Sequence, residues 1–143
     1  MGRILCLDYG QKRVGVAVTD PLQIITTGLT TIETKDVYTF LADYMAKERV
    51  DLLVVGLPRQ MNGELSDSYR FIKPFLDNMK KRMPEVKIEM CDERFTSQIA
   101  QRAIIDGGVK KSVRRENKGL VDMVSASIIL QSYLEGRQIG NRF

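Results

Sequence analysis

The chain has no histidine among its 143 residues, no tryptophan and only two cysteines. Without an imidazole, every Ser-His-Asp or Cys-His hydrolase is excluded. Without histidine or a Cys-x-x-Cys pair, a structural zinc site lacks its donors. Cys6 and Cys91 each stand in an apolar, strand-like run. Such thiols behave as small buried hydrophobes more often than as a disulfide, which fits a reducing compartment. Aromatic residues make up 7% of the chain and form no stacking platform. Any nucleic acid would therefore be recognised by backbone and shape. No apolar run approaches the roughly 20 residues of a membrane span, and the N-terminus shows no signal-peptide pattern. The expected address is cytoplasmic, with no membrane partner.

What is present is an ordinary globular composition, 43% hydrophobic and 28% charged, in a length that suits a single domain over residues 1–143. Net charge is +4, from 22 basic against 18 acidic residues, a mild lean toward polyanions. There is no internal repeat and no low-complexity segment.

The organising stretch runs from Ile4 to Asp20. Ile4 to Leu7 and Val14 to Val18 read as two strands joined by a tight polar turn. Asp8 closes the first run, on the face of Ile4 and Cys6. A carboxylate at the rim of an apolar face needs a cation, a backbone nest or a metal ion beside it. Gly10 and Gly15 permit tight turns and close approaches. After Asp20-Pro21, Ile24 to Ile32 reads as a third strand, with a bulge at Gly28. Val37, Phe40, Leu41, Tyr44 and Met45 then predict a helix over Asp36 to Arg49, with Thr34 as its N-cap. Asp51 to Gly56 reads as a central parallel strand. A helix follows from near Leu65 or Ser66 to about Met83, kinked or restarted at Pro74. Val86 to Cys91 is the next strand. A helix capped by Thr96 ends at Gly107-Gly108, and Lys110 to Gly119 is a basic loop. The last helix, about Leu120 to Leu134, is apolar nearly all round and is expected to be buried.

Three strands in a meander followed by βαβαβ imply one mixed sheet with helices on both faces. In such sheets ligands gather beyond the carboxyl ends of the parallel strands. Asp8, Gly56 and Glu93 fall at such ends. Asp122 lies in the first turns of the last helix, on the face of Ala126, Ile129 and Tyr133, with small Ser125 and Ala126 allowing close packing on the sheet. Acids gathered at one edge repel unless cations screen them. Without histidine, Mg²⁺ or Mn²⁺ suits the oxygen donors, and two such ions support phosphodiester hydrolysis. Asp92 competes with Glu93, and alternation sends the two to opposite faces. Arg94 either pairs with one of them or meets phosphate. Arg59 is a candidate contact to a substrate backbone. Lys110, Lys111, Arg114, Arg115 and Lys118 form either a solvated loop, the usual reading of a charge run, or a set of phosphate contacts, a reading favoured by their place directly before Asp122.

Four motifs carry a specific resemblance. They are Leu7-Asp8-Tyr9-Gly10-Gln11-Lys12-Arg13-Val14-Gly15-Val16-Ala17, Val55-Gly56-Leu57-Pro58 with Asn62-Gly63, Asp92-Glu93-Arg94-Phe95-Thr96-Ser97, and Lys118-Gly119-Leu120-Val121-Asp122. In order and spacing they resemble the YqgF/RuvX family, described both as Holliday-junction resolvases and as pre-16S ribosomal RNA nucleases. The resemblance implies an RNase H-like fold with a five-stranded mixed sheet. It implies Asp8, Glu93 and Asp122 as the catalytic, metal-binding triad, and Lys12 and Arg13 as the basic residues after the first acid. Ser125 stands where the family usually has alanine.

Two rival classes are weighed. An ATP-binding relative of the superfold would need two such domains, and this length holds one. A non-catalytic nucleic-acid module would keep the fold without divalent-ion binding at Asp8. Between substrates, a symmetric four-way junction demands a dimer, and no dimerisation surface is legible. The expectation is therefore a monomer or weak homodimer acting on ribosomal RNA precursor, with the DNA junction as the alternative.

Overall fold

The computed structural model describes residues 2–57, 69–92 and 118–140. Its elements are β1 (Arg3–Tyr9), β2 (Arg13–Thr19), β3 (Thr26–Glu33), a 3₁₀ turn (Thr34–Asp36), α1 (Val37–Lys47), β4 (Val50–Leu57), α2 (Tyr69–Arg82), β5 (Ile88–Asp92) and α3 (Lys118–Gly140). The five strands form one sheet in the order β3-β2-β1-β4-β5. β1 pairs antiparallel with β2 and parallel with β4; β3 pairs antiparallel with β2, and β5 parallel with β4. The expected meander and its parallel continuation are both present, and β1 is central.

Alternation along the strands divides the core into two layers. Leu5, Leu7, Val14, Val16, Leu53 and Val55 pack against Val37 and Leu41 of α1 and Ile72, Phe75 and Met79 of α2. On the opposite face Ile4, Cys6, Ala17, Leu52 and Val54 pack against Ala126, Ile129, Leu130 and Leu134 of α3. Asp8 continues the second set, so it belongs to the face that α3 covers.

Several boundaries differ from expectation for identifiable reasons. β3 begins at Thr26, not Ile24, because the Asp20 carboxylate accepts the amides of Ile24 and Ile25, both at 2.8 Å, and holds them in a turn. A register shift between Val16 and Ala17 leaves Leu29 as the extra residue of a bulge on β3, one residue beyond Gly28. Thr34 does not cap α1. Its hydroxyl donates to the carbonyl of Gly10 at 2.7 Å, and Asp36 holds the N-cap position without a side-chain bond. α3 begins at Lys118 and reaches Gly140, so the end of the expected basic loop is already helical. Nor is α3 buried all round, for Gln131, Ser132 and Glu135 are exposed. Pro74 lies inside α2, where it has no amide to donate to Arg70. The helix expected after Thr96 falls outside the described residues.

Candidate active site

Gly15 decides how α3 meets the sheet. A Cβ built there would lie 2.0 Å from the carbonyl oxygen of Asp122 and 2.4 Å from its carbonyl carbon. Only a residue without a side chain lets the helix backbone rest on β2 at that point. On β3 Gly28 leaves room for the Met123 side chain, whose Cγ would lie 2.8 Å from a Cβ built there. The register of β1 and β2 places Asp8 directly across from Gly15. Opposed residues in an antiparallel pair have Cβ positions about 4.5–5.5 Å apart. Asp8 and Asp122 therefore approach the same small area of the sheet, one from the strand and one from the helix above it. Both are partly exposed.

The β1–β2 turn supplies the next residues. The Gly10 amide donates to the Arg13 carbonyl at 2.9 Å, closing the turn. Thr34 ties it to the start of α1: its amide donates to the Lys12 carbonyl at 3.0 Å and its hydroxyl to Gly10. Lys12 is exposed. Arg13 Nε donates to Asp122 Oδ2 at 2.8 Å, an ion pair whose side chains are 40% and 25% exposed. Pairs so accessible to water are worth roughly 0.2–1 kcal/mol. A cavity of about 320 Å³ opens here, lined by Gly10, Gln11, Lys12, Arg13 and Asp122. Beside it a second, of about 500 Å³, is lined by Gln11, Lys12, Arg13, Glu33, Thr34 and Lys35. A third hollow lies at the amino ends of β4 and β5, among Gln23, Asp51, Lys87, Glu89 and Tyr133. It mixes both charges and stands away from Asp8.

Tyr9 follows Asp8 but points to the other layer, its ring 4.6 Å from that of Phe75. Burial, and then the neighbouring Tyr38, push its phenol above the ordinary tyrosine value. It stays protonated at neutral pH and anchors the end of β1 to α2.

The described structure thus brings together Asp8, Lys12, Arg13 and Asp122. Arg59, Glu93, Arg94, Lys110, Lys111, Arg114 and Arg115 fall outside the described residues; of Lys118, only the backbone position at the head of α3 is described. Glu93 immediately follows Asp92, the last residue of β5. Among the described residues no three His, Cys, Asp or Glu side chains cluster as a metal site. Asp8 and Asp122, placed about Gly15 from the strand and from the helix, offer only oxygen donors, which fits a hard divalent ion. Sequence reasoning does not find Thr34, Glu33 and Lys35 beside the turn. Their only signal is the β3–α1 junction, whose closeness to Gly10 is a property of the sheet.

The family model of RuvX, described as Holliday junction resolvase, matches residues 2–136. A protein of Porphyromonas gingivalis is 54% identical over 135 residues, covering 94% of this chain and 97% of its own length. One from Phocaeicola vulgatus is 52% identical and one from Bacteroides thetaiotaomicron 50%, each over 138 residues covering 96% of this chain and 99% of the relative. All three carry the name "Putative pre-16S rRNA nuclease". No described helix is long and apolar enough to cross a membrane.

Proposed function

Because the chain belongs to the RuvX family, we propose that it is a metal-dependent endonuclease of the cytoplasm that cleaves ribosomal RNA precursor in maturing the 16S end, as a monomer or weak homodimer. The observation that carries this reading is the seating of Asp122 on Gly15, directly across the hairpin from Asp8. Asp8 and Asp122, with Glu93, are the residues that would hold Mg²⁺ or Mn²⁺. Bound there, a pair of such ions would activate water and stabilise the leaving oxygen of a phosphodiester. The choice of Glu93 over Asp92 is supported by alternation in β5. Glu89 is hydrogen-bonded by Tyr133 of α3 and Cys91 lies against Ile129, so the odd-numbered residues turn to the face of Asp8.

The chain's own residues supply the rest. Lys12 presents a cation at the mouth of the cavity, and Arg59, Arg94, Lys110, Lys111, Arg114, Arg115 and Lys118 are the further candidates for phosphate contact. Such contacts position a backbone without reading its sequence. The description of the family model favours a second substrate, the four-way DNA junction.

The deciding assay gives purified protein precursor RNA and a mobile DNA junction side by side, at matched salt and with Mg²⁺ or Mn²⁺. Cleavage of the RNA is expected, with loss of turnover in chelator, in Asp8→Asn and in Glu93→Gln. Junction cleavage alone would move the substrate to DNA. Full activity of Asp8→Asn, or of the chelated protein, would sink the metal mechanism. A dead Asp92→Asn beside an active Glu93→Gln would reverse the third assignment.

A further inference from the structure

Arg13, one of the two basic residues that follow Asp8 in the motif, is engaged by an acid of the proposed site. Its Nε donates to Asp122 Oδ2 at 2.8 Å. Across from it on β3 stands Glu33, whose own carboxylate lies 3.0 Å from Lys35 Nζ. Opposed side chains leave the backbone about 4.5–5.5 Å apart at Cβ, so Glu33 is within reach of the guanidinium through side-chain torsions alone. Arg13 also borders both cavities at this edge, the one with Asp122 and the one with Gln11, Glu33, Thr34 and Lys35. The turn beneath it is pinned by Gly10 and by both polar groups of Thr34. Any rearrangement therefore falls on the arginine side chain.

We propose that Arg13 is a positioning residue with two seats. One is the ion pair with Asp122 that the structure holds. When a divalent ion takes that place, Arg13 turns to the cavity beside Glu33 and Lys35 and meets the phosphodiester backbone there. The inference rests on the metal-dependent reading of the site. A carboxylate oxygen already accepting from a guanidinium is a poorer ligand for an ion, and two cations at one oxygen repel. A half-exposed pair is weak enough to exchange readily. Arg13 thereby lowers the ion affinity of the free protein, and ion binding releases a cation to the substrate. Metal and nucleic acid then strengthen each other's binding, as linkage requires.

The test is calorimetric titration of the whole chain with Mn²⁺, without nucleic acid, for the unaltered protein, Arg13→Gln and Arg13→Lys. Arg13→Gln is expected to bind Mn²⁺ tighter by roughly two- to fivefold, the factor a half-exposed ion pair supplies, with Arg13→Lys between. Should Arg13→Gln not fold, tighter binding by Arg13→Lys decides alone. A companion titration follows a fluorescent RNA oligonucleotide with and without Ca²⁺ as a probe ion, and the gain from the ion should be smaller in Arg13→Gln. Unchanged or weaker Mn²⁺ affinity in the variants overturns the proposal and leaves the metal site standing. No Mn²⁺ uptake by the unaltered protein removes the metal reading itself, and the proposal with it.

Discussion

Gly15 and Arg13 show how single residues set this site. A methyl group at Gly15 has no room, because the main chain of Asp122 occupies its place. Gly15→Ala must lift the head of α3 from the sheet, and overpacking of a fitted contact costs about 1–3 kcal/mol. Urea unfolding should register that loss, and turnover should fall further than stability does, since Asp122 moves with the helix. A variant as stable and as active as the parent would mean that α3 does not rest on β2. The glycine itself is legible in the sequence as a place of close approach, flanked by Val14 and Val16. Its partner is not, because Asp122 lies more than a hundred positions away. The Arg13–Asp122 pair spans 109 positions and is hidden for the same reason. The resemblance marks Arg13 only as a basic residue after Asp8, and the sheet pairs it with Asp122.

At the scale of elements, continuous apolar runs such as Ile4–Leu7 and Leu52–Val55 are read correctly as strands, since both of their faces are covered. Errors arise where a side chain competes for backbone amides. Ile24 and Ile25 have strong β character, yet Asp20 accepts from both of them and, at 3.2 Å, from Leu22. The same turn holds Gln23 at φ 59°, with its side-chain amide donating to the Gly2 carbonyl at 2.7 Å. Hydrogen bonds from Ile25, then Ile24, hold the Asp20 carboxyl below the ordinary carboxylate value. A lowered folded value means stabilisation that is complete above the unfolded pKa of about 3.9 and lost as pH falls through the folded one. Thermal melts should therefore separate the parent from Asp20→Ala at neutral pH and converge well below pH ~4. A gap that persists unchanged in acid would show that the turn is held by something other than the Asp20 carboxylate.

For the molecule as a whole, two apolar layers hold one sheet, with Asp8 near the carboxyl end of β1 and Asp122 on the helix that crosses beside it. Hydrophobic alternation carried most of that architecture, and topology carried Asp8 and Asp122 toward one edge. The pairing of Arg13 with Asp122 is a matter of tertiary placement, which periodicity does not encode. Carboxylates gathered at one edge repel one another unless cations stand beside them; Arg13 pairs with Asp122. A divalent ion that binds the folded edge and not the unfolded chain must then stabilise the entire fold, by about 2.7 kcal/mol at a hundredfold excess over Kd. For a chain of this size that corresponds to a rise of roughly 5–10 °C in Tm. Asp8→Asn should show the opposite pair of effects. Without ions it should melt slightly higher than the parent, because one repelling charge is gone, and on adding Mg²⁺ or Mn²⁺ it should gain little. Scanning calorimetry of both proteins, with and without ions at constant ionic strength, reads the two effects together. Equal ion-induced shifts in the parent and in Asp8→Asn would place the stabilising ion away from Asp8, and the acids at this edge would then be structural.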